Sequence, residues 1–340
     1  MIAFHHGGNL VQVPWGGTWV DLEKRNRMCY RDTPESTLRQ LIRQIDSGEP
    51  WREVIRRQYE CSYPWLHRIV TDPCRDLFFR MHPPKRGSIV LDIGAGWGQI
   101  SIPLAQEHHV VALEPTPERL AFIQSVANQE RVTSRMIFLE SDFLETKFHS
   151  EFDLVSCIGV LEWVPKFASG DPRAVQQQFL SAIREALTPD GTLVVGIENR
   201  IGLKYLLGSA DDHIGSPNIA VLDAELAQRR FRALTGSELR SFTYSLAEYQ
   251  QLFTDAGFGA AEVFVAFPDY KVPALIHPAN EDLESKLAGV FEVPHEHDGS
   301  NGTAVSAEFQ ECLTSHYRTF ARNGVSRFFA PSYYFRVRKR

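Results

Sequence analysis

Residues 90–98 read VLDIGAGWG, an apolar run that stops at an acid and opens into glycines at 94, 96 and 98. Glycines in such a turn let the backbone bend tightly and approach a ligand where any Cβ would collide. The stretch therefore predicts the first strand and glycine turn of a nucleotide-type cofactor site. Spacing chooses between cofactors: a dinucleotide fingerprint is G-x-G-x-x-G, with its third glycine at the helix start and the pyrophosphate on the helix N-terminus. Position 99 is Gln, so that fingerprint is not met.

Downstream of this turn the chain alternates in type. Apolar runs predict strands near 88–93, 109–114, 135–140, 152–158 and 191–198, with helices near 98–107, 117–129 and 173–187 between them. Strands alternating with helices imply a parallel sheet covered on both faces. Ser245 as N-cap with Glu248 three residues on predicts a helix at 246–256, stopped by Gly257, and further strands are expected at 260–267 and 332–338. Upstream, residues 1–30 mix Gly, Pro and aromatics without a period, which reads as an irregular arm with room for short strands. Helical spacing of Leu38, Leu41, Ile42 and Ile45 predicts a helix at 33–46, with others at 49–59 and 72–81 before a breaker at 82–87.

The motif set resembles the class I S-adenosylmethionine-dependent methyltransferases, whose first motif is an apolar strand followed by D/E-x-G-x-G-x-G. The resemblance rests on five stretches in order: residues 90–98, VVALE at 110–114, IFLESDF at 137–143, FDLVSCIGVLEW at 152–163 and LTPDGTLVV at 187–195. Together they span residues 90–195, about a third of the chain. It implies an α/β, Rossmann-like seven-stranded sheet, mostly parallel with the last strand antiparallel, and S-adenosyl-L-methionine as cofactor. By the same resemblance Asp92, Gly94, Gly96 and Gly98 belong to the cofactor turn, and Glu114 binds both ribose hydroxyls. Asp142 contacts the adenine amino group, Phe143 flanks the ring, and Ile158 closes the fourth strand. Each acid also has a plain alternative: Glu114 as a cap on helix 117–129, Asp142 as a turn starter.

Composition narrows the function classes. The formal net charge is −6, which gives no electrostatic footprint for nucleic acid, and the arginines between 39 and 57 are interleaved with acids as on a solvated helix face. No run of about 20 apolar residues is present to span a membrane, and the N-terminus lacks the basic head and apolar block of a secretory signal. A cytoplasmic location is expected. Cysteines at 29, 61, 74, 157 and 312 lack C-x-x-C pairs and read as reduced thiols. His5–His6 and His295–His297 have spacings that permit metal binding, but neither has an evident third ligand, so no metal is expected.

The plan is an arm and helical cap at 1–85 and a methyltransferase domain at 86–340 interrupted by insertions at about 199–240 and 268–330. Long connections in a compact domain tend to be functional, and 295–302 reads as a mobile polar tip. Methyl transfer from a sulfonium needs alignment, and a neutral hydroxyl acceptor also needs a base. The densest candidates are Glu198, Asn199, Arg200, Lys204, Asp211, Asp212 and His213. Glu198 or His213 can act as base, Asn199 can orient substrate or cofactor, and Arg200 and Lys204 can hold an anion or pin the loop to the aspartates. A second cluster, Asp269, Tyr270 and Lys271, comes after strand 260–267. Glu162 and Trp163 stand where an acceptor-facing residue is expected, with lid packing as the alternative for the indole.

The stretch ENRIGLKY with a downstream DDH, and the turn PDYKVP, resemble a bacterial methyltransferase subgroup associated with glycan or capsule assembly, which implies a sugar hydroxyl as acceptor. A natural-product methyltransferase acting at N, O or C, and a catalytically silent cofactor-binding partner protein, are the alternatives. Exposed Trp15 and Trp19 would suit a homodimer contact, or lid packing.

Overall fold

Short, continuously apolar stretches frame the structure, because a strand buried on both faces has no polar side to alternate. The computed structural model describes residues 1–22, 31–288 and 306–339. The chain divides into two compact units. The first holds residues 1–158, 179–194 and the chain from Arg338; the second holds 159–178 and 195–337.

In the first unit, β1 (Ile2–His6) and β2 (Asn9–Val13) form a small antiparallel sheet with β7 (Thr146–Phe148). The larger sheet contains β3 (Thr18–Asp21), β4 (Ile89–Ile93), β5 (His109–Leu113), β6 (Met136–Glu140) and β8 (Phe152–Ile158), all parallel, in the order β8-β4-β5-β6-β3. Val90, Val110, Val111, Met136, Ile137 and Val155 are fully buried. β9 (Leu187–Glu198) begins in this unit. The helices are α1 (Glu35–Asp46), α2 (Trp51–Tyr59), α3 (Pro64–Thr71), α4 (Leu77–Met81), α5 (Ser101–Leu104) and α6 (Pro117–Gln129), and α1 packs on α6.

The second unit opens with α7 (Val164–Phe167) and the start of α8 (Pro172–Ala186), and continues from the end of β9. It then carries α9 (Leu203–Leu206), α10 (Ala224–Thr235) and α11 (Leu246–Asp255), whose Ser245–Glu248 capping box is formed. β10 (Glu262–Phe267) lies between β11 (Leu275–Pro278) and β12 (Ser332–Arg338) and is antiparallel to both. α12 (Glu281–Ala288) packs on α13 (Ala307–Arg322). Residues 214–242 enclose a small core of their own around Ile219, Ala227 and Leu239.

All seven expected strands are present and the last is antiparallel to its neighbour β10, as expected. Two edge strands exceed the expected count: β3, from the arm, pairs with β6, and β11 pairs with β10. The helix expected at 98–107 is only one turn, because the chain after Pro103 closes with i→i+3 bonds, Gln106 to Pro103 and Glu107 to Leu104. The helix expected at 72–81 is divided. Asp72 caps a 3-10 turn by accepting from Cys74 N–H, and α4 comes directly after it. α3 was not expected; its signal is Pro64 at the first helical position. Trp15 and Trp19, read from sequence as suiting either a homodimer contact or packing within the chain, meet His109 and Phe138 within the unit. His295–His297, the tip at 295–302 and Cys29 lie outside the described residues. Among the described residues no helix is long and apolar enough to cross a membrane.

Candidate active site

The cofactor residues assemble in the first unit. Gly94, Gly96 and Gly98 all have positive φ, and Gly94 and Ala95 N–H donate to the Leu113 carbonyl, which ties the turn after β4 to the end of β5. At Gly98 an added Cβ would lie 3.1 Å from the Ile123 side chain on α6, so the glycine also permits close packing there. Glu114 comes directly after β5 and is 3 % exposed. Its Oε2 accepts from Gly96 N–H at 3.0 Å and its Oε1 from Thr116 N–H at 3.1 Å. The acid and the glycine turn are thus one hydrogen-bonded unit.

Asp92 is buried at the end of β4 and accepts from the Ser101 hydroxyl at 2.5 Å. Burial pushes its carboxyl up to about 6, against the lowering pull of the Ser101 and Ser156 hydroxyls. Asp142 starts a 3-10 turn, accepting from Leu144 N–H at 2.8 Å. Phe143 differs from expectation: it is 3 % exposed and its ring packs on Phe148 and Phe179, so it fills core. Ile158, at the end of β8, is 9 % exposed.

The second cluster assembles inside the second unit, from the chain after β8, the end of β9, the loop at 211–213 and the turn after β10. Asp211 Oδ1 accepts from His213 N–H at 2.8 Å and Ile214 N–H at 2.9 Å, an Asx-type turn that sets His213. His213 Nε2 lies 3.5 Å from Glu162 Oε1 and 3.5 Å from Glu198 Oε2, and Nδ1 lies 3.5 Å from Asp211 Oδ1. Burial alone would lower the imidazole pKa, but Glu198, with Asp211 and Glu162, raises it well above its ordinary value. The Trp163 ring meets His213 edge-on at 5.0 Å, and Lys166 Nζ lies over that indole.

Lys271 Nζ contacts Glu198 Oε1 and lies 3.5 Å from both Asp212 Oδ2 and Asp269 Oδ2. Burial opposes its charge, yet Asp269 and Glu198 hold its pKa well above the usual lysine range. Lys204 Nζ stands 3.4 Å from Asp212 Oδ2. Burial would raise the Asp212 pKa, but Lys204 and Lys271 hold it below the ordinary range. The loop-pinning alternative thus holds for Lys204. Arg200 pairs with Glu248 at 3.2 Å.

Two expectations meet physical obstacles. Asn199 is fully buried and its amide nitrogen donates to the Phe328 and Ala330 carbonyls and the Tyr333 hydroxyl, at 2.8–2.9 Å. Its Oδ1 accepts from Ile201 N–H, so this side chain is used to fasten the chain rather than to orient a ligand. Tyr270 is 1 % exposed, and its hydroxyl abuts Gly159, where an added Cβ would lie 2.6 Å away. Burial and Glu198 push its pKa well above the ordinary range, so it is a neutral phenol against the backbone.

A cavity of about 460 Å³ lies within the second unit. Its walls include Asp211 and His213 together with Arg173, Arg200, Asp223, Phe242, Tyr244 and Glu248, and an apolar side from Ile214, Ile219 and Leu222. Arg200 Nε is buried and has no hydrogen-bond partner among the described residues. Arg173, Tyr244 and Glu248 escaped the sequence reading because nothing in their spacing links them to position 213.

Comparison with known proteins bears on the first of these sites. Residues 90–191 match the family described as Methyltransferase domain. A protein of Xylella fastidiosa (strain 9a5c) named Ubiquinone biosynthesis O-methyltransferase is 30 % identical over 145 residues, 42 % of this chain and 54 % of that one. Its namesake from Rickettsia canadensis is 28 % identical over 120 residues, 35 % of this chain and 46 % of that one. The chain spans about half the length of these curated relatives. The Haemonchus contortus phosphoethanolamine N-methyltransferase 2 structure with S-adenosyl-L-methionine aligns at a TM-score of 0.46 and 15 % identity, over 88 % of this chain and 60 % of that one. The glycine turn, Glu114 and Asp142 all fall inside the matched segment, and residues 90–191 are a methyltransferase domain.

Proposed function

We propose that this chain transfers a methyl group from S-adenosyl-L-methionine to a hydroxyl of a small polar acceptor, a sugar or glycan-type hydroxyl being the favoured class. The observation that carries the cofactor half is the Glu114 carboxylate, held by Gly96 N–H where an acid can meet ribose hydroxyls. The acceptor half is supported by the cavity of about 460 Å³, a volume suited to a small ligand, whose walls carry Asp211, Arg173, Arg200, Asp223 and Glu248. Such a density of charged groups suits a polyhydroxylated molecule better than an apolar one. S-adenosyl-L-methionine would supply the methyl group as a sulfonium, leaving as S-adenosylhomocysteine, and the acceptor hydroxyl would give its proton to the Glu198 carboxylate, which His213 Nε2 faces at 3.5 Å. A phenolic ring hydroxyl is the second reading, favoured by the names of the relatives and by the apolar wall of Ile214, Leu222 and Phe242.

The test has two arms. S-adenosylhomocysteine titrated calorimetrically into wild type is expected to bind, and Glu114→Ala to abolish that binding; a wild type that does not bind overturns the cofactor assignment. Radiolabelled methyl transfer is then scored on sugars and on catechol-type phenols. His213→Ala is expected to lower turnover by about 10² or more while cofactor affinity stays at the wild-type value. Equal loss of both would remove His213 from the chemistry.

A further inference from the structure

We propose that Glu162, Glu198 and His213 bind one divalent first-row transition-metal ion. The three side chains come from separate stretches of the second unit, and one ligand atom of each lies within 4.8 Å of the other two. The Nε2 of His213 is 3.5 Å from Glu162 Oε1 and 3.5 Å from Glu198 Oε2. Ligand atoms bonded at 2.0–2.2 Å around a tetrahedral ion stand about 3.4 Å apart, so these pairs already have the separation of coordination edges. Hydrogen-bonded groups would sit closer.

A second observation is independent of that spacing. Glu162 has no exposed surface; among the described residues its Oε2 has no hydrogen-bond partner, and its Oε1 makes no hydrogen bond and faces His213 Nε2 at 3.5 Å. Glu198 Oε2 is likewise buried without one. Buried polar atoms are nearly always satisfied, and leaving several of them unmet in one place is costly. An ion among them would satisfy the carboxyl oxygens at once. The adjoining trio of Glu198, Asp212 and Asp269 is a useful contrast, since the Lys271 ammonium already contacts or approaches all three.

Ligand type narrows the ion. An imidazole nitrogen with two carboxyl groups suits Zn²⁺, Mn²⁺, Co²⁺ or Fe²⁺ better than Mg²⁺ or Ca²⁺, which prefer oxygen throughout. Asp211 stands 3.5 Å from His213 Nδ1 and holds its backbone, the place of the carboxyl group that orients a metal-bound histidine. His213 and Asp211 also line the cavity. No spacing motif announces this site, because its ligands are spread from position 162 to position 213.

The test needs neither cofactor nor acceptor. The full chain, stripped with a chelator, is titrated with Co²⁺ and followed by its visible ligand-field bands. One equivalent is expected to bind and to raise the melting temperature reversibly. Glu162→Gln and His213→Ala are each expected to weaken it about 10-fold or more, with circular dichroism confirming the fold. Asp269→Asn is expected to leave the cobalt bands unchanged. If either variant fails to fold, the wild-type bands and stoichiometry still decide. Wild type that binds no Co²⁺ or Zn²⁺, or variants at 162 and 213 that bind as wild type does, would overturn the proposal.

Discussion

Gly159 comes directly after β8, at φ +70°, and an added Cβ would meet the Tyr270 hydroxyl at 2.6 Å. Both the left-handed backbone and the overlap oppose a side chain, so Gly159→Ala is expected to lose about 2–4 kcal/mol in chemical denaturation. Adding Tyr270→Phe should recover part of that, because it removes the overlapping oxygen. Asp92 makes a different kind of demand. Its folded pKa of about 6 lies above its ordinary value of 3.8. The folded state therefore holds a proton that the unfolded state has released between those values, and stability from this group is full below 3.8 and lost as pH rises through 6. Asp92→Asn is accordingly expected to be more stable than wild type at pH 7.5, by about 1–3 kcal/mol, with the difference vanishing below pH 4. Thermal melts at the two pH values check it; a gain that is equal at both would point to another cause.

Among elements, β3 shows what the arm contributes. Thr18–Asp21 pairs in parallel with Ile137–Glu140, and Gly17 N–H and Leu22 N–H extend the ladder to the Met136 and Glu140 carbonyls. Removing residues 1–22 would leave β6 as an open edge, apolar along its whole length except Glu140. The truncated chain is expected to melt at a lower temperature and to scatter light on standing; an unchanged melt without aggregation would mean that the edge is guarded by something else. The sequence left room for short strands in the arm but did not place this one, because four residues without alternation carry no period. The parallel strands were legible for the opposite reason, since IVL at 89–91, VVAL at 110–113 and IFL at 137–139 are unbroken apolar runs that stop at an acid. α11 was legible through its capping box, whereas α3 and the shortened α5 depended on where single prolines fell.

At the scale of the whole molecule, legibility tracks chain distance. The cofactor residues from Asp92 to Asp142 lie in order along alternating strands and turns, so fold and site could be read together. The second cluster draws on positions 162, 198, 211–213 and 269–271, and only folding reveals that Glu162 belongs with His213. Asp211 stood among the sequence candidates, but only the structure shows that its turn sets the histidine. Asn199 was overvalued, because an amide beside a promising acid looks like a ligand contact until its hydrogen-bond partners are known. Those partners also order events during synthesis. Asn199 is bonded to Phe328, Ala330 and Tyr333, so the peptide that carries Glu198 waits on residues made about 130 codons later. The turn at Gly96 and Glu114 has no such dependence, and a ribosome will have exposed the whole of it well before the anchor for Glu198 has been translated.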